Sequence, residues 1–107
     1  MNKYTELSDF EVNKKVAEKL GLAYEVTRYG VVTRMSNKEQ WREFDPCNNP
    51  SDAMPIIIEN KIGLSPMYYS NEWTADCLDY DFISVNKNPL RAAMELFLMM
   101  KDAENEV

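Results

Sequence analysis

At 107 residues and 45% hydrophobic content, the chain has the size of one ordinary domain and can bury a core without a disulfide framework or structural metal. Its 18 acidic and 12 basic residues leave a net charge of −6, which favours solubility and opposes non-specific contact with nucleic acid or anionic lipid. There is no histidine, so His-based triads, dyads and zinc sites are excluded together.

The first helix is signposted by Ser8-Asp9-Phe10-Glu11, a capping box in which Ser8 and Glu11 serve each other's backbone donors. Leu7 and Val12 are spaced as a hydrophobic staple, and Val12, Val16 and Leu20 share one face. Gly21 supplies the left-handed stop, closed by Leu22. Ala23–Thr27 and Val31–Met35 then read as a hairpin around Arg28-Tyr29-Gly30, since β-branched and aromatic residues dominate both runs. Residues 36–43 are polar and fit either a loop or a short helical turn.

Trp41–Pro55 is the unusual stretch, with three prolines and an Asn48-Asn49 pair in a rigid, irregular connection. A helix is expected to follow it, capped by Asp52 or Ser51, with Pro55 in or near the first turn, Ile56 and Ile57 buried, and Gly63 as its end. Leu64–Ser70 and Trp73–Leu78 form a second predicted hairpin around Asn71-Glu72, with Pro66 marking an edge strand. Phe82–Val85 is a short further strand. The last helix begins at Asn88-Pro89, an N-cap followed by proline at the first helical position. Its only polar stripe is Arg91, Glu95 and Asp102, so it is expected to be buried on several sides or to pair with a second copy. The tail from Ala103 to Val107 is expected to fray.

These elements predict a single α+β domain over residues 1–107, with three helices packed on a small, mainly antiparallel sheet built from two hairpins and the C-terminal helix most buried. The start of the chain has no apolar run of signal-peptide length, and the longest apolar runs, Ile56–Ile58 and Leu96–Met100, are too short to span a membrane. Cys47 and Cys77 therefore read as free thiols in a bacterial cytoplasm.

Few residues suggest chemistry. Asp76, Asp79 and Asp81 could face a hard cation, but the pattern lacks the glycine and terminal glutamate of an EF-hand, and hydrated acids on a turn are the simpler reading. The cysteines lack both a histidine base and C-x-x-C spacing. Gly21, Gly30 and Gly63 are isolated and build no phosphate loop. No metal or cofactor is expected. The candidate interaction surface is Trp41, Phe44, Asp45, Asn48, Asn49 and Asp52, on a rigid loop able to present aromatics and amides. Against it stands a purely structural role, with Trp41 and Phe44 plugging the core and the asparagines capping turns.

The run F-D-P-C-N-N-P-S-D-A-M-P-I-I from Phe44 resembles the signature of the NinX-like family of lambdoid phages and enterobacterial prophages. The N-terminal Y-T-E-L-S-D-F-E-V-N-K-K-V-A-E and C-terminal N-P-L-R-A-A-M-E-L-F-L-M-M resemble it as well, although Met54 stands where the pattern calls for tryptophan. The resemblance implies a phage or prophage origin and a cytoplasmic setting in the bacterial host. It brings no catalytic residues, because the family is a domain of unknown function. The leading expectation is a non-enzymatic accessory protein that binds a host or phage protein and does not contact nucleic acid directly, with a homodimer through the C-terminal helix as a further expectation. One alternative is a small-molecule-binding or enzymatic domain with its site near Trp41–Asp52, where Asp45 or Asp52 acts as acid or base and Tyr68 or Tyr69 donates a proton. A weaker alternative is an acidic DNA-mimic inhibitor.

Overall fold

Residues 2–105 are described by the computed structural model. The elements run α1 (Asp9–Leu20), β1 (Ala23–Thr27), β2 (Gly30–Arg34), β3 (Arg42–Glu43), α2 (Pro50–Glu59), β4 (Gly63–Pro66), β5 (Trp73–Asp76), β6 (Ser84–Asn86) and α3 (Pro89–Asn105). The α+β class, the helices and the antiparallel hairpins are those expected from the sequence. Each hairpin carries a third strand, β3 within the stretch read as loop or helical turn and β6 close to the strand expected over Phe82–Val85, and instead of the one sheet expected they form two separate antiparallel sheets in the orders β1-β2-β3 and β4-β5-β6. The irregular loop and α2 lie between them in the chain, and α3 packs against β5 and β6 of the second sheet while α1 packs on the first.

Local chemistry fixes α1 as read. The Ser8 hydroxyl accepts from the Glu11 N–H at 3.1 Å, and the Glu11 carboxylate accepts from the Ser8 N–H at 3.2 Å. Gly21 takes φ +73 and the Leu22 N–H reaches back to the Ala17 carbonyl at 3.1 Å. The second helix departs from expectation at both ends. Asn49, not Ser51 or Asp52, is its N-cap, accepting from the Ser51 N–H at 3.0 Å. Pro55 therefore lies inside the helix, beyond the first turn. The carbonyl it leaves without an intrahelical donor is that of Ser51, an exposed residue that water can serve. At the other end the helix stops at Asn60, short of the expected Gly63, and Lys61 takes a left-handed conformation (φ 53). Gly63 instead opens β4, where an added Cβ would sit 2.6 Å from Asp76 Oδ1 on the paired strand.

α3 is the centre of the core: Met94, Leu96, Phe97 and Leu98 are all fully buried. Around it pack α1 through Val12, Val16 and Ala17, α2 through Ala53, Ile56 and Ile57, and β5 through Ala75. The breadth of apolar surface on α3 is thus used within the chain. Even its polar stripe is covered, because the segment before α1 lies across it. Arg91, 6% exposed, donates to the Tyr4 and Leu7 carbonyls at 2.9 and 2.7 Å. It also pairs with Glu95 at 2.7 Å and with Asp9 at 2.6 Å. Glu95 has no exposed surface and accepts from the Asn2 amide at 3.0 Å.

Asp102 closes this seam. The buried Tyr4 hydroxyl donates to its carboxylate, and the Lys3 ammonium lies 3.2 Å away. Burial works to raise the Asp102 carboxyl, but these partners outweigh it and hold it below its ordinary value of 3.8. The folded state thus binds this proton more weakly than the unfolded chain, so the contribution of Asp102 is complete above pH 3.8 and drains away as pH falls through the lowered folded value. Urea midpoints followed down this range should fall more steeply for the native chain than for Asp102→Asn.

Candidate functional site

Trp41–Asp52 begins in β3, turns sharply and enters α2. Phe44 is 7% exposed, and its N–H donates to the Val31 carbonyl at 2.9 Å. The Asp45 carbonyl accepts from the Asn48 and Asn49 N–H groups at 3.1 and 2.7 Å, which makes the turn and leaves Pro46 and Cys47 buried beneath it. The side chains then stitch this turn to both neighbouring helices. Asp45 Oδ1 accepts from the Asn13 amide at 2.7 Å, and Asn13 Oδ1 accepts from the Cys47 N–H at 3.1 Å. The Asn48 amide donates to Asp9 at 3.1 Å and to Asp45 at 3.2 Å. Asn88, at the start of α3, donates to the Cys47 carbonyl at 2.7 Å and to Asn48 Oδ1 at 3.1 Å. Asp52 accepts from the Asp45 N–H at 2.9 Å.

Asp45, Asn48, Asn49 and Asp52 therefore all spend their side chains on the turn or on the start of α2, while Trp41 is part-exposed and Phe44 is buried. Beside them is a groove of about 600 Å³ between the first sheet, the end of α1, α2 and α3. Phe44, Ile56 and Phe97, none more than 7% exposed, make its floor. Lys19, Arg34, Arg42 and Lys101 stand around it with Glu39, Glu43, Asp52 and Glu59. Arg34 lays its guanidinium 4.4 Å from the centre of the Trp41 ring, and its buried Nε has no hydrogen-bond partner among the described residues. Tyr68 and Tyr69 belong to the β4–β5 connection, 90% and 95% exposed, and do not line this groove.

The candidate chemistry resolves into structure at several points. Burial, reinforced by the Asp9 charge and opposed by Arg91, pushes the Cys47 thiol well above its usual range and keeps it protonated. A thiol-reactive dye should accordingly label Cys77, which is only half-buried, in the native protein, and both cysteines only after denaturation. Among the described residues, no three Cys, Asp or Glu side chains are grouped as a metal ion would require, and Asp76, Asp79 and Asp81 are no exception. Among the described residues, no helix is long and apolar enough to cross a membrane.

Sequence reasoning missed Asn13 and Arg34, and read Asn88 as an N-cap without its bonds to the loop. The first had a visible signal, since a polar residue between Val12 and Val16 interrupts an otherwise apolar face. Arg34 had none, because its pairing with Trp41 depends on how the β2–β3 connection folds back.

Comparison with curated proteins finds no match. The family described as Bacteriophage P22, NinX matches residues 3–101, nearly the whole length and all three blocks in which the resemblance was read. The chain therefore belongs to the phage P22 NinX family.

Proposed function

We propose that the protein is a non-enzymatic phage accessory domain that works in the host cytoplasm by binding a host or phage protein through the groove beside Trp41–Asp52. The observation that carries this is the groove itself: an apolar floor of Phe44, Ile56 and Phe97 within a charged rim, about 600 Å³ in volume. That combination is the composition of a recognition surface, with an apolar centre to anchor a partner and polar groups around it to select one. The volume would also suit a small molecule. The enzymatic form of that alternative is less well supported, because Asp45 and Asp52 are committed to holding the turn.

Photo-crosslinking tests the proposal. A benzophenone side chain placed at Met35, a groove residue that is 76% exposed, is expected to capture a discrete protein from lysate of phage-infected cells. The same group at Leu78, 85% exposed and outside the groove, serves as the control. Capture at neither position would remove the proposal, and equal capture at both would remove the groove from it.

A further inference from the structure

We infer that the second sheet, β4-β5-β6, is a further docking surface, and that its occupant is a basic segment of a partner protein, an extended stretch in which Arg or Lys alternates with apolar side chains. This surface shares no residue with the groove and stands on its own observations.

The sheet has one covered face and one open face. Ala75 and its register partner Ser84 are buried on the side of α3. Thr74, Asp76 and Val85 alternate to the other side, where Val85 is exposed opposite Thr74. Ile83, just before β6, is exposed as well. At one end of the sheet the β4–β5 connection adds Tyr68 and Tyr69, whose rings stand edge to face with centres 4.7 Å apart. The Met67 N–H closes this connection on the Glu72 carbonyl at 2.9 Å. Neither tyrosine belongs to the core or to the apolar residues packed on it. Two rings braced on each other present aromatic area at little further cost in side-chain entropy, which is why tyrosine recurs in contact surfaces.

Charge decides what fits there. Between Gly63 and Asn86 the chain places Glu72, Asp76, Asp79 and Asp81 but none of its 12 Lys and Arg residues. Asp76, Asp79 and Asp81 are exposed, and none of the four carboxylates is ion-paired among the described residues. Lys61 and Lys87, the nearest cations in the chain, stand outside the stretch and leave them so. The three aspartates are not gathered as a metal ion would require. Asp76 lies over Gly63, where an added Cβ would come within 2.6 Å of its Oδ1. From the tyrosine end to Asp76, β5 covers about 10 Å at its usual rise, the reach of a few extended residues. A guanidinium or ammonium is attracted both to an exposed ring face and to a carboxylate, so Arg or Lys serves both ends while apolar neighbours cover Val85 and Ile83. Single-stranded nucleic acid could stack on the tyrosines, but it would bring phosphates against unpaired carboxylates.

Fluorescence anisotropy of a short labelled peptide of alternating Arg and Leu, titrated with the full chain, tests this. The same peptide with Glu in place of Arg, and a labelled oligothymidylate, are the comparisons. The Arg-Leu peptide is expected to bind, less tightly as salt is raised, and the other two are not. The double variant Tyr68→Ala with Tyr69→Ala should lose about tenfold in affinity, and Asp76→Asn about threefold. All three side chains are exposed, so the fold should survive their loss. Glu25→Gln removes one exposed carboxylate from the first sheet and is expected to change affinity little, which separates a site from net charge alone. No binding, tighter binding of the oligothymidylate, full affinity in the tyrosine variant, or equal losses in Glu25→Gln and Asp76→Asn would each overturn the inference. So would self-association of the chain that the tyrosine variant abolishes, since a second copy would then occupy the face. Leu78 borders this face, so a protein of another size crosslinked there leaves the groove reading untouched, while the same protein at Met35 and Leu78 counts against it.

Discussion

Arg91→Met is expected to lower the unfolding free energy by about 3–5 kcal/mol, read from a urea titration with unchanged slope. The size follows from what is left behind. Glu95 is wholly buried and would lose its cationic partner at 2.7 Å, the Tyr4 and Leu7 carbonyls would lose the Arg91 donor, and Asp9 would keep only the Asn48 amide. Removing one member of a buried pair costs far more than the pair contributes, because an uncompensated charge remains in a low-dielectric site. Against a typical total stability of about 5–15 kcal/mol, the variant would be marginal. The double replacement Arg91→Met with Glu95→Leu separates this cause from simple loss of packing. It removes both charges and is expected to recover a large part of the loss. A double variant no more stable than Arg91→Met would show that the contacts to the N-terminal segment, and not the stranded carboxylate, dominate.

Phe97→Ala is expected to cost about 3–5 kcal/mol by the same measurement, for a different reason. Phe97 has no exposed surface and lies in the middle of α3, with α1 and α2 packed around that helix. Truncation forfeits the transfer energy of the ring and leaves a void that a close-packed interior closes only in part. The ring also lies directly beneath the groove, and the Lys101 ammonium stands 5.5 Å from its centre. Phe97→Leu, which keeps much of the volume, should cost clearly less. Its effect on partner binding then reports on the groove floor with the fold intact. Equal losses for the alanine and leucine variants would argue against a cavity as the cause.

The elements were legible wherever one local rule decided them. Ser8, Glu11 and Gly21 bound α1 by capping chemistry that acts within a few residues, and Asn88 caps α3 by accepting from the Leu90 N–H at 2.9 Å. The second helix was misjudged at both ends because neighbouring residues were competing for the same roles. Asn49, Ser51 and Asp52 are all competent caps, and Asn49 prevails because the turn closed on the Asp45 carbonyl brings its side chain to the helix start. Asp52 is drawn away to the Asp45 N–H. The candidate loop was legible as unusual, but its division of labour was not. Asp45 and Asn48 bond to Asn13, Asp9 and Asn88, residues between 32 and 40 positions away for the contacts to Asn13, Asp9 and Asn88.

The sequence by itself determined the class of fold, both ends of the first helix, the start of the last, the family and the absence of histidine chemistry, since each depends on residue type or short-range spacing, whereas α3 runs on to Asn105, past the Ala103 at which fraying was expected. Tertiary structure alone decided that the hairpins form two sheets, that Arg91 and Glu95 are buried under the N-terminal segment, and that Arg34 meets Trp41 beside a groove floored by three separate elements. The physical reason is the same in each case. Burial and partner choice are set by which surfaces meet after the chain has turned back on itself, and a helical wheel marks a polar stripe without saying whether water or another segment will face it.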